Sequence, residues 1–146
     1  MVPIMKVCGV ELKGNEAIIC LMSLSEGLID LPDCRVRRLT LLDVNSREQL
    51  QEFQFAFSKL MEDYKVEKVS IRQRPTKGKF AGSAAGFKME AAIQLAEEFE
   101  VETLSATEIK ESLSYNPLPI PFENTGLKVF QEAAFTTAFV SLTRKK

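Results

Sequence analysis

The chain has 146 residues, 45% hydrophobic and 27% charged, with 19 basic against 20 acidic side chains and neither histidine nor tryptophan. That length and composition predict one globular domain spanning residues 1–146, with a substantial core. Without histidine there is no Ser-His-Asp or Cys-His triad and no imidazole metal ligand, so any catalysis must rest on carboxylates, Lys, Tyr, Cys or a carboxylate-bound metal.

The opening MVPIMKVCGV is too short for a signal peptide and runs into a strand pattern over residues 6–12 (KVCGVEL), closed by a Gly14-Asn15 turn. Residues 16–23 (EAIICLMS) form a second strand whose unbroken apolar run calls for cover on both faces. After turn chemistry at Ser25-Glu26-Gly27, residues 33–41 alternate Cys34 and Val36 against Arg35 and Arg37. This predicts a half-exposed third strand at a sheet edge, and the short connections make the three an antiparallel meander. Cys8, Cys20 and Cys34 show no zinc or thioredoxin spacing, and an odd count argues against a disulfide framework. They read as reduced packing residues of a cytoplasmic protein.

Ser46 and Gln49 have capping-box spacing, and the helix that follows buries Leu50, Phe53, Phe57, Leu60, Met61 and Tyr64. Phe55 falls off that face; if exposed, it points to an oligomer interface. Residues 68–73 form a fourth strand, 74–83 a basic loop, and 84–99 a helix rich in small residues. Residues 100–104 are the fifth strand. Ser105 and Glu108 cap a short helix to about Ser114, and three prolines keep residues 116–121 extended. Asn124 or Thr125 caps a last helix that turns Leu127, Phe130, Ala134, Ala138 and Leu142 inward. No apolar run approaches the roughly 20 residues that span a bilayer, so no membrane partner is expected. Neither a P-loop nor a GxGxxG fingerprint is present.

Three strands in a meander followed by strand–helix units predict an α/β fold. The expected five-stranded mixed sheet has order 3-2-1-4-5, strand 2 antiparallel, and helices on both faces.

The stretch KVSIRQRPTKGKFAGSAAGFK, residues 68–88, carries six basic residues and no acidic one, leaving 13 basic against 20 acidic elsewhere. A local cationic segment on an otherwise acidic chain predicts a polyanion partner, DNA or RNA or a nucleotide phosphate. Arg72, Arg74, Lys77 and Lys79 would line the groove, with Phe80 placed to stack on a base. Against this stands a merely solvated loop. Arg72 argues otherwise: it lies inside an apolar strand, at the carboxyl end where open α/β sheets bind ligands.

Four segments resemble RuvC-type Holliday-junction resolvases of the ribonuclease H-like superfamily. They are VCGVELKG in the first strand, VSIRQ with the later AAGFKMEAAI, SATEIKESL, and FQEAAFTTAF near the end. The chain is also similar to an uncharacterised bacterial family of about this length. The resemblance implies a carboxylate cluster holding two divalent cations, Mg or Mn, that clamp the attacking and leaving oxygens of a phosphodiester. Position by position, Glu11 and Glu132 match two of its acids. Arg72 stands where the fourth-strand glutamate belongs, and Phe135 where the final acid belongs. The resemblance therefore implies a degenerate metal site with no cofactor, in which Glu11 faces Arg72 as a counter-ion. Lys110 matches the family's phosphate-proximal helix lysine and joins the groove. Two alternatives remain: a Mg- or Mn-dependent nuclease using Glu11, Glu132 and Glu90 or Glu108, and a non-enzymatic homodimer or interaction protein.

Overall fold

The computed structural model describes residues 5–73 and 83–144. Strand β1 (Lys6–Lys13) turns through Gly14, at φ +59°, into the antiparallel β2 (Glu16–Ser25). Glu26 and Gly27, both at positive φ, then reverse the chain into the short β3 (Leu28–Asp30), the left-handed pair that a two-residue hairpin needs. A second short strand, β4 (Arg38–Thr40), pairs with the other end of β2. The rest alternates: α1 (Arg47–Asp63), β5 (Lys68–Arg72), α2 (Ala84–Gln94), β6 (Glu100–Leu104) and α3 (Ala106–Tyr115). Two single turns of 3-10 helix then lead to α4 (Glu132–Thr143).

The sheet order is β3-β2-β1-β5-β6, with β4 beside β3 along the same edge of β2. This is the expected order, except that the third strand, expected over residues 33–41, is confined to Arg38–Thr40, and an unexpected short strand, Leu28–Asp30, precedes it on the same edge. Residues 31–37 loop away from β2: Pro32 has no N–H to give a ladder, and only the Arg37 carbonyl returns to accept from Ile19 N at 3.0 Å.

Alternation along β1 and β2 sends side chains to two cores. Cys8, Val10, Leu12, Ile19 and Leu21 pack with Phe53, Phe57, Leu60 and Met61 of α1 and with Met89 and Ile93 of α2. Val7, Ile18, Cys20 and Met22 pack with Ala134, Phe135, Ala138 and Phe139 of α4. The apolar run of β2 is thus covered on both faces. Gly9 permits α4 to lie directly on β1: a Cβ there would meet the Ala134 carbonyl and sit 2.7 Å from Ala138 N.

Several local expectations shift. Ser46 Oγ accepts from Gln49 N at 3.2 Å, but the return bond of a full box is not made among the described residues. Helix α2 stops at Gln94 rather than residue 99, because Phe99 must turn inward to meet Phe57, ring centroids 5.8 Å apart. Helix α4 starts at Glu132, not after Asn124 or Thr125, since Gly126 is left-handed at φ +81° and breaks any helix through it. Phe130, expected inward, lies at the surface under the Arg38 guanidinium, 4.9 Å from the ring centroid. The three thiols are free, Cys8 and Cys20 buried and Cys34 partly so. Among the described residues no helix is long and apolar enough to cross a membrane.

Candidate functional site

Parallel strands β1 and β5 run in register from Val7 opposite Lys68 to Val10 opposite Ile71. One residue further, the register sets Glu11 beside Arg72 at the carboxyl end of both strands. By alternation, Glu11 shares the α4 face with Val7 and Gly9, and Arg72 shares it with Ser70, whose hydroxyl lies 2.6 Å from that of Ser141 of α4. Both side chains are half-buried. They are neighbours, yet no ion pair forms between them, and neither has another ion-pair partner among the described residues. The counter-ion role expected of Glu11 is therefore not met. A guanidinium without an acid partner, at the end of parallel strands, can present its N–H fork to a phosphate oxygen.

Helix α4 crosses this face from β2 to β5. Gln131, buried just before its first turn, donates from Nε2 to Ile19 O at 3.0 Å; Ala134 and Ala138 cover Gly9; Ser141 reaches Ser70. Glu132 lies in the exposed first turn, where a carboxylate favours the helix dipole whatever else it does. Phe135 is fully buried, its ring 5.5 Å from that of Phe122. The position where the resemblance places a final acid is thus a core aromatic.

Among the described residues no three Cys, Asp or Glu side chains are grouped so that they could hold a metal ion. The remaining segments, MVPI, RPTKGKFAG and the final Lys-Lys, contain no acid to complete one. Glu90 belongs to α2, on the opposite side of the sheet from Glu11. Glu108 is occupied in its own helix cap, as described below. Among the described residues, Glu11, Glu90, Glu108 and Glu132 are thus not brought together into one group.

The basic segment divides. Lys68 is buried at the start of β5, its Nζ 3.2 Å from Glu102, and Lys88 donates to Val44 O at 2.7 Å. Two of the six cations are therefore structural. Arg74, Lys77, Lys79 and Phe80 lie outside the described residues. Lys110 is exposed on α3, and no described contact joins it to Arg72.

Two polar arrangements were not foreseen. Ser70 Oγ donates to Glu102 at 2.8 Å and Ser141 Oγ at 3.0 Å, so one carboxylate ties β5, β6 and α4 together beside Lys68. Burial raises the pKa of Glu102, but the Ser70 bond, Lys68 and Ser141 outweigh it and hold the carboxyl below the ordinary range. The signal was available: Lys68, Ser70 and Arg72 are the polar residues of β5, spaced by two on one face. In the second arrangement, Glu108 completes the α3 capping box with Ser105 and reaches Arg144 at 2.6 Å. The Ser105 N–H and hydroxyl, then Arg144, lower its pKa. This pair edges a cleft of about 660 Å³ between the α3 and α4 ends, with Tyr115 at its rim.

Comparison with solved structures places this fold. Thermus thermophilus RuvC superposes with a TM-score of 0.61 at 10% identity, covering 75% of this chain and 69% of that one. T. thermophilus RuvC in complex with a Holliday junction substrate gives 0.59 at 12% identity, over 75% and 72%. The yeast mitochondrial Holliday junction resolvase Ydc2 gives 0.53 at 12% identity, over 80% and 57%. At such identities the likeness shows the fold alone, and that fold is ribonuclease H-like. No curated protein matches the chain. A family model does, over residues 5–141: the chain belongs to DUF3010, a family described as a protein of unknown function.

Proposed function

We propose that the chain binds nucleic acid through its phosphates at the carboxyl ends of β1 and β5, without resolvase-type metal chemistry. The observation that carries this reading is Arg72: half-buried, beside Glu11, and without an ion-pair partner among the described residues. Burying a guanidinium without an acid is costly unless an anion meets it. The chain continues from Arg72 into Arg74, Lys77 and Lys79, which extend the cationic track, with Lys110 and Phe80 as further contacts. The fold is one on which RuvC has been solved with a Holliday junction substrate, which supports nucleic acid over other polyanions. Glu11 and Glu132 carry no catalytic role in this reading.

The test is fluorescence anisotropy with single-stranded, duplex and branched DNA and with RNA, at two salt concentrations, with and without manganese, and each probe run on a gel. Binding that weakens with salt and with Arg72→Ala, and further with Arg74→Ala plus Lys79→Ala, supports the reading. Manganese-dependent cleavage abolished by Glu11→Gln would instead establish a nuclease. No binding to any probe at low salt would sink both.

A further inference from the structure

The face of the sheet opposite Arg72 carries a surface of different character. On α1, Phe55 is 72% exposed, and Leu95, just past α2, is 75% exposed. They line one hollow of about 310 Å³ together with Glu97 and Glu98. Phe55 also lines an adjoining hollow of about 430 Å³ with Glu48 and Glu52. The two hollows share Gln51 and Phe55, so they form one shallow groove in which Phe55, Leu95 and Ala96 lie among Gln51, Gln54, Ser58 and four glutamates. Neither hollow has a lysine or arginine among its lining residues. The groove is held in shape from below, where Gln54 of α1 donates to Ala92 O of α2 at 2.8 Å.

Two apolar side chains this exposed and this close together mark a docking surface, and the charges select what docks. A second copy of this chain, set face to face by a two-fold axis, would bring four carboxylates against four and desolvate them. Nucleic acid and anionic lipid meet the same repulsion. We propose that this groove receives a basic amphipathic helix of a partner protein. Its apolar stripe would cover Phe55 and Leu95, and its lysines or arginines would reach the glutamates on either side. The chain would then join a polyanion on one face to a protein on the other.

The probe is a labelled Leu/Lys amphipathic peptide of about 18 residues, with its Leu/Glu counterpart as control, titrated into the full chain at low and high salt. The Leu/Lys peptide should bind and the Leu/Glu peptide should not. Phe55→Ser with Leu95→Ser should weaken binding about tenfold or more. Glu97→Gln with Glu98→Gln should weaken it at low salt and much less at high salt. Both variants should keep the native circular dichroism and the nucleic-acid affinity of the parent, because their side chains are at the surface and away from Arg72. Absence of peptide binding, equal binding of the acidic peptide, or binding indifferent to Phe55 and Leu95 would overturn the proposal. A dimer in sedimentation that Phe55→Ser dissolves would also overturn it, by making a second copy the occupant.

Discussion

Gly9 and Glu102 show how single residues hold α4 on the sheet. At Gly9 the obstacle is backbone, the Ala134 carbonyl and Ala138 N, so a methyl cannot be absorbed by a side-chain rotation. Gly9→Ala should therefore cost about 1–3 kcal/mol, read as a lower urea midpoint with α4 displaced. Glu102 acts through charge. Its folded pKa is lowered, so its contribution is present above the ordinary glutamate range near ~4.3 and is lost as pH falls through the lower folded value. Glu102→Gln should destabilise the chain by about 1–3 kcal/mol at neutral pH, less than for a fully buried pair because the carboxylate is part-exposed. Denaturation curves of parent and variant should converge as the pH falls through the lowered folded value of Glu102. Arg72 was legible in the sequence because it stands at the carboxyl end of a strand and opens a run of basic residues. The neutralisation of Lys68 was not, because its partner comes from a different strand and only the fold brings them together.

Elements carry their own signals unevenly. Strands β1, β2, β5 and β6 stand close to where alternation and apolar runs put them; the first three are buried along most of their length, and β6 is held beside β5 by its ladder and by buried Leu104. The third strand reads longer in the sequence than it is, because DCRVRRLTL alternates as a strand should, yet only Arg38–Thr40 pairs and Pro32 ahead of it lets the chain leave the edge. The start of α4 was misplaced because Asn124-Thr125 has the chemistry of a cap, whereas the left-handed Gly126 decides against it. Helix α3, by contrast, follows its capping box closely. Ser105→Ala should cost about 1 kcal/mol in thermal or urea unfolding and leave nucleic-acid binding unchanged, separating the helix cap from the Arg72 surface.

At the scale of the molecule, a net charge of −1 hides an uneven distribution. Basic residues continue from the end of β5, and carboxylates edge the Phe55–Leu95 groove on the other side of the sheet. If Arg72 contacts a phosphate, log affinity should fall linearly with log salt, and Arg72→Ala should reduce that slope by about one while lowering affinity across all sequences alike. An unchanged slope would place the phosphate contacts elsewhere. The sheet order was readable because connection length and crossover handedness leave few arrangements. The acid-edged groove was readable only as one suspicious residue, Phe55, since Leu95 and the four glutamates converge through the packing of α1 on α2.

The burial of Phe135 bears on reversibility. The resemblance places acids where Arg72 and Phe135 stand, and these two positions are not equally open to change. Arg72→Glu exchanges one half-exposed charged residue for another and should leave a folded protein. Phe135→Asp would set a carboxylate among Val7, Ile18, Met22 and Phe139 and vacate the space of a ring, at a cost of several kcal/mol. The paired variant should therefore unfold at much lower urea than Arg72→Glu alone, unless the Phe122–Phe135 contact is first repacked. An acid at position 135 therefore requires the core around Phe122 to be repacked first, whereas one at position 72 does not.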